Sequence, residues 1–279
     1  MAESTHDNVL PELHRAADDN DWPTIAALLE RGLSIDARDR DGMTALHHAV
    51  RAGHKDLARA LLDHGAKVNI GSGFSGDPHC GTVGELGWSV MHYARDRDMA
   101  ELLISRGAPV DAHDLYKAMT PLHWASHGNH DLARYLISQG ANPNSRDRHG
   151  KTPLHNAAKE NDTEMTAFLL DHGARMDAKM QGDKTPKDWG ALTRLHWAGL
   201  LGEVGEAAQA IAAGRDVNAR DRGGLTPLHA AALRGKTEVA ALLIQHRADV
   251  NALDKRDRSA LALAANAAVA RLLVAKGAA

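Results

Sequence analysis

Histidine occupies 18 of the 279 residues of this chain. An imidazole can act as a general base, a metal ligand or a capping group, and "TPLHNAA" at 152–158 poses that choice for His155. The same Thr/Ser-x-x-His spacing recurs at Thr44/His47, Ser89/His92, Thr120/His123, Thr193/His196 and Thr226/His229. A catalytic base needs a distinct partner at one place in the fold, so a group that returns once per unit reads as framework. Thr152 suits a helix N-cap, Pro153 suits the first helical position, and His155 lies where its side chain reaches back to the cap.

A second candidate centre is the stretch 70–87, "IGSGFSGDPHCGTVGELG", which holds His79 and Cys80, with His113 further on. Gly71, Gly73 and Gly76 match G-x-G-x-x-G, but a dinucleotide site needs a helix to begin at that loop, and Asp77-Pro78 and Gly81 break the chain instead. Adjacent residues such as His79 and Cys80 rarely ligate one ion, and no third ligand has suitable spacing. An exposed loop is the simpler reading; an enzyme or a small-molecule or metal sensor using Cys80 with His79 or His113 is the rival. "ARDRDG" at 37–42 imitates a calcium loop, but Ala37 and His48 stand where ligands are required. With no phosphate-loop lysine motif, no His-Glu-x-x-His and no G-x-S-x-G, the sequence assigns no catalytic, cofactor-binding or metal residue.

The elements that must position these side chains follow from an internal period. Apolar anchors stand at Leu13, Leu46, Met91, Leu122, Leu154, Leu195, Leu228 and Leu261, at gaps of 33, 45, 31, 32, 41, 33 and 33 residues. Behind most of them a second apolar run ends in glycine, as in "ALLDHG" and "YLISQG". Each unit therefore predicts two short helices, the second closed by a left-handed glycine such as Gly65, Gly140 or Gly173. A tight hairpin with Asp and Gly follows, as in "VNARDRGG". Aromatics are only 4% of the chain, so Ala and Leu must do the packing.

With "TPLH" complete at 120–123, 152–155 and 226–229 and a period near 33, the chain closely resembles the ankyrin repeat family over essentially its whole length. The resemblance implies an all-α repeat solenoid of helix-turn-helix units with β-hairpin loops, about eight units in a curved right-handed stack. The expected divisions are a capping repeat at 1–38, repeats at 39–69, 88–114, 115–146, 147–179, 191–220 and 221–253, and a final cap at 254–279. The segments 70–87 and 180–190 remain, the latter read either as a remnant repeat or as a loop insertion. The third and last units lack about three residues between their helices, which predicts tighter turns there.

The family's concave face, made of hairpin tips and first helices, usually binds other proteins. Side chains that vary at those tips are the partner-binding candidates: Arg38, Arg40, Arg146, Arg148, His149, Lys151, Arg220 and Arg222. Lys255, Arg256 and Arg258 continue the series. Guanidinium groups spaced along a rigid ridge suit carboxylates, which implies an acidic protein partner; the alternative is a solvated face balanced by its own aspartates. Trp88, Tyr116, Met119 and Trp124 form a second candidate surface, because aromatics beside arginine are typical anchors.

A net charge of −3 with a pI near 6.6 argues against nucleic acid and anionic lipid as partners. The single cysteine, Cys80, excludes an intramolecular disulfide, and no apolar run resembles a signal peptide or a membrane span. A cytoplasmic, non-enzymatic adaptor or inhibitor is the expected function, with a secreted effector that captures host proteins as an alternative.

Overall fold

The computed structural model describes residues 10–72, 87–114, 116–189 and 192–278. They form an all-α repeat array, and among them the expected hairpins reduce to isolated bridges, Gly71 with Ser89 and Leu253 with Ser259. Side-chain caps rather than a ladder hold those turns. Asp39, for example, accepts hydrogen bonds from the Asp41 and Met43 amides at 2.9 and 2.8 Å.

Two compact units emerge, the first holding the described residues through Ala125 together with Asn129–Arg148, the second holding Ser126–Gly128 and the described residues from His149 onward. The first contains α1 (Leu10–Asp18), α2 (Trp22–Glu30), α3 (Ala45–Ala52), α4 (Lys55–Asp63), α5 (Val90–Tyr93), α6 (Arg97–Ser105), α7 (Pro121–Ala125) and α8 (His130–Ser138). Three of its four second helices begin where a short polar side chain takes an amide of the first turn. Asp21 accepts from Thr24, Asp96 from Met99 and Asn129 from Leu132. Helices α2, α4 and α8 end before Gly32, Gly65 and Gly140, each at φ +89°, where a residue with a side chain would be strained. The apolar stripe of α4 shows the packing: Leu57, Ala58 and Leu61 are buried while Arg59 is exposed.

Several of the recurring histidines bind one repeat to the next. The amides of Thr44, Ser89, Thr120, Thr152 and Thr226 donate to Nδ1 of the histidine three residues on, at 3.2, 3.1, 3.0, 3.0 and 3.1 Å. A ring nitrogen that accepts an amide proton carries none of its own, so the proton of the neutral ring is on Nε2. From there it is donated to a backbone carbonyl of the following unit: His92 to Met119 at 2.9 Å, His196 to Leu225 at 3.1 Å and His229 to Arg258 at 3.1 Å. Both nitrogens of these rings are engaged and all three are buried. Burial pushes each below the usual histidine range, and the accepted carbonyl only partly opposes it.

The second unit contains α9 (Pro153–Lys159), α10 (Thr163–Asp171), α11 (Pro186–Trp189), α12 (Arg194–Leu201), α13 (Val204–Ala212), α14 (Pro227–Leu233), α15 (Thr237–Gln245) and α16 (Ala267–Ala275). Helix α11 packs on α9. His155 faces the Lys184 carbonyl at 3.4 Å, and Thr185 takes a cap from Asp188, whose carboxylate accepts from its amide at 3.1 Å and its hydroxyl at 2.6 Å. Residues 180–189 thus stand where a tip and a first helix stand in neighbouring units, with aspartate in the place of histidine. No second helix follows, because α12 begins at Arg194.

Two expectations for the shortened units need correction. In the last unit the first helix is not formed: residues 260–263 are turns, and α16 alone is helical. "SALALAA" has Ala262 at the histidine position, so the reciprocal cap is lost and only the Ala262 amide reaches the Ser259 hydroxyl, at 3.4 Å. In the third unit the turn is not tighter, since 94–96 separate the helices as 160–162 separate α9 from α10 in the second compact unit; the first helix is shortened instead, to the four-residue α5.

Helices α12 and α14 pack closely because Gly199 has no side chain: an added Cβ would meet the Pro227 carbonyl oxygen at 2.8 Å and the Ala231 nitrogen at 3.1 Å. Alanine is the better helix former by ~1 kcal/mol, yet Gly199→Ala should destabilise the protein by about 1–3 kcal/mol through that clash, read as a lowered urea midpoint. An unchanged or raised midpoint would contradict the close packing.

The histidine caps also give stability a pH dependence. Burial pushes His47 down to about 4, so below its unfolded value near 6.5 the unfolded chain binds the proton first. Stability is full above that value and falls as pH drops from 6.5 towards 4, by about 1.4 kcal/mol per pH unit for this residue. Glutamine keeps the cap without titrating. In His47→Gln, urea unfolding across this window should lose roughly one proton's worth of slope; an unaltered slope would count against the buried neutral ring.

Candidate functional site

At one histidine the cap is made but the bond to the next layer is not, and a cleft lies beside it. By the pattern, His47 should donate to the carbonyl of Trp88, the residue before Ser89. That oxygen instead accepts from the Ser72 amide at 3.0 Å and the Ser72 hydroxyl at 3.1 Å, and His47 Nε2, fully buried, has no hydrogen-bond partner. The Trp88 amide returns a bond to the Ser72 hydroxyl at 3.2 Å. These bonds clip together the two ends of the inserted segment. Gly87 is required there, since its φ is +68° and a Cβ would fall on the Ser72 carbonyl. His79 and Cys80 lie outside the described residues, and His113 is exposed.

A cleft of about 520 Å³ opens next to this clip, lined by Asp41, Met43, Arg51, Ser72, Trp88, Tyr93, Asp114, Tyr116 and Lys117. Its aromatic wall is continuous: Trp88 is centred 5.3 Å from Tyr93 and 5.0 Å from Trp124, and Tyr93 meets His47 edge-on at 5.9 Å. Tyr116, 60% exposed, stands free at the rim. Its position is fixed by Asp114, a buried carboxylate that accepts from the amides of Tyr116, Lys117 and Met119 at 2.9, 2.6 and 3.0 Å. Asp114 thereby holds the loop, and Lys117 in that loop is exposed. Arg51 holds Asp18 through Nη2 at 3.1 Å and touches the Met43 sulfur through Nη1 at 3.7 Å.

The sequence candidates divide on this geometry. Trp88 and Tyr116 line the cleft, and Trp124, half-buried, backs it. Met119 is 6% exposed and gives its carbonyl to His92, so it is a core residue rather than a contact. Arg38, Arg40, Arg146, Arg148 and His149 are exposed and Lys151 is half-buried. The Arg148 amide donates to the Lys117 carbonyl at 2.7 Å, which places this tip beside the cleft. In the second unit the arginines are engaged by the chain itself. Arg220 donates to the Leu253 and Gly224 carbonyls at 2.6 and 3.2 Å, and Arg222 pairs with Glu160 at 3.0 Å. Sequence reasoning missed Tyr93, Arg51 and Lys117. Tyr93 was visible only as the residue after a recurring histidine, and nothing local distinguishes Arg51 from other helix-surface arginines.

Among the described residues no group of three or more His, Cys, Asp or Glu is disposed to hold a metal ion, and no helix is long and apolar enough to cross a membrane.

Comparison with known proteins places this architecture. The family model for ankyrin repeats in three copies matches 86–180 and 195–279, and a second ankyrin repeat model matches 13–62. The stretches left between them contain the glycine-rich insertion and α11. A platypus (Ornithorhynchus anatinus) ankyrin repeat, SAM and basic leucine zipper domain-containing protein is 35% identical over 118 residues, 42% of this chain and 24% of that protein. The tyrosine-protein kinase Shark of Drosophila melanogaster is 32% identical over 122 residues, 42% of this chain and 12% of the kinase. The chain therefore spans a quarter or less of these relatives. The solved ankyrin repeat domain of Bcl-3 aligns over 94% of this chain and 97% of its own, at 21% identity and a TM-score of 0.49. With family models covering most of its length, this chain belongs to the ankyrin repeat family.

Proposed function

We propose that this chain is a non-enzymatic protein-binding scaffold, an adaptor or inhibitor acting in the cytoplasm, and that it holds an acidic partner segment in the cleft of its first unit. Ankyrin repeat proteins generally mediate protein–protein interactions. The observation that carries the reading here is the aromatic cleft itself, with Trp88, Tyr93 and Tyr116 reachable from solvent beside Arg51 and Lys117. Large rings on fixed backbone lose little entropy on contact and make strong anchors. The sign of the partner follows from the rim, where the exposed Lys117, with the exposed Arg148 next to it, stands against one exposed carboxylate, Asp41, the Asp114 carboxylate being buried under its loop. A bulky apolar side chain would fill the cleft while a neighbouring carboxylate meets the cations.

Selection of binders from a random peptide display library tests this directly. Enriched peptides should place Asp or Glu beside a large apolar residue, and Trp88→Ala or Tyr116→Ala should weaken them at least about tenfold, ~1.4 kcal/mol. Their affinity should fall with added salt. Binders indifferent to both substitutions would place the interaction elsewhere, and enrichment of basic peptides would reject the acidic partner.

A further inference from the structure

The second unit carries a surface that its own chain already occupies. In a regular array each hairpin tip hydrogen-bonds the tip before it: the Gln181 amide donates to the His149 carbonyl at 2.7 Å, and the Lys255 amide to the Gly223 carbonyl at 2.9 Å. Among the described residues the tip at Asp221–Gly224 has no such neighbour. Its Arg222 amide donates instead to the Asn161 carbonyl, at 2.9 Å, in the turn between α9 and α10. Asp221 accepts from the Thr163 amide at 2.9 Å, taking a first-turn amide of α10. Arg222 reaches Glu160 at 3.0 Å, while Arg256 and Arg258 from the next tip reach Glu164 at 3.1 and 2.8 Å.

We propose that the face formed by Asp221, Arg222, Arg256 and Arg258 is an interaction surface for an acidic helix start, and that residues 160–166 are a resident ligand which a partner carrying the same chemistry displaces. The recognition has three parts, all seen in the resident contact. A carboxylate caps a free amide of the incoming helix, a backbone amide takes the carbonyl of its leading turn, and three guanidinium groups grip acids on either side of the cap. Acidic groups in a helix's first turn are favoured by its dipole, so the motif is one that other helices present naturally. Bidentate-capable guanidinium groups make the pairing specific for carboxylates.

A separate observation points to a cost carried by the resident contact. Asn161 Oδ1, Thr163 Oγ1, Thr166 Oγ1 and Trp197 Nε1 are buried without a hydrogen-bond partner. The first three belong to the docked turn and helix, and Trp197 lies in the apolar cluster that joins Ala158 and Ala167 to Leu200 and Ala230. Buried polar atoms without partners oppose the contact that buries them. An incoming helix start with apolar residues at the two threonine positions would keep the charged contacts and shed that penalty.

The test uses a labelled peptide of residues 158–172 and fluorescence anisotropy. A closed resident contact lowers apparent affinity by the fraction of open molecules, so Glu160→Gln with Glu164→Gln in the chain should bind the peptide at least about tenfold more tightly than the native chain. Binding should weaken as salt rises and be lost when Arg222, Arg256 and Arg258 are also changed to Gln. Equal affinity for native and Glu-to-Gln chains, no binding to any chain, or binding that survives the arginine changes would each overturn the proposal. Should the double glutamine chain unfold at the assay temperature, hydrogen exchange of the native chain decides. Amides of Thr163–Thr166 that exchange well before those of α14 support an exchangeable contact, and equal protection refutes it.

Discussion

One neutral imidazole shared between two layers is the interaction on which the rest of this structure depends. The helices described here are four to nine residues long, too short to persist alone in water. Five first helices are started by a threonine or serine whose amide is taken by histidine Nδ1, and at His92 and His229 the proton this forces onto Nε2 is given to the next layer. A single side chain thereby caps one helix and fixes its distance from the next unit. The arrangement works only while the ring is uncharged, and burial keeps it so.

Irregularities matter because each breaks this linkage at a defined place. The insertion between the second and third units brings Ser72 onto the carbonyl that His47 would have used, and the displaced geometry leaves an aromatic-walled cleft beside a buried, unpartnered nitrogen. The missing tip before α12 leaves the Asp221 tip without its usual neighbour, and the α9–α10 turn fills the vacancy with two glutamates. Both irregularities are places where the local rule of the repeat yields to a contact between residues distant in the chain.

Charge along the tips illustrates the gap between composition and geometry. The sequence shows a row of arginines with interspersed aspartates, which read as turn formers bonding their own backbone or, alternatively, as a set that neutralises the arginines. In the structure Asp39, Asp114, Asp221 and Asp254 are occupied by amides of their own turns. Arg222 and Arg256 are matched instead by Glu160 and Glu164, residues some 60 to 90 positions away in the chain. Arg258 alone is shared, holding Asp254 and Glu164 at 2.8 Å each.

The sequence by itself determined the repeat, its helix starts and stops, the framework role of the histidines and the two places where the period slips, because these depend on side chains within a few residues of one another. Caps, left-handed glycines and Asx turns are local, and a period near 33 multiplies their signal. Only the tertiary structure decided that Met119 is core, that the last unit lacks its first helix, that Tyr93, Arg51 and Lys117 share a cleft with Trp88, and that the glutamates of α9 and α10 occupy the arginines of the later tips. Those outcomes rest on contacts between units, where packing distance and competition for a single carbonyl or guanidinium decide, and no spacing within one repeat encodes them.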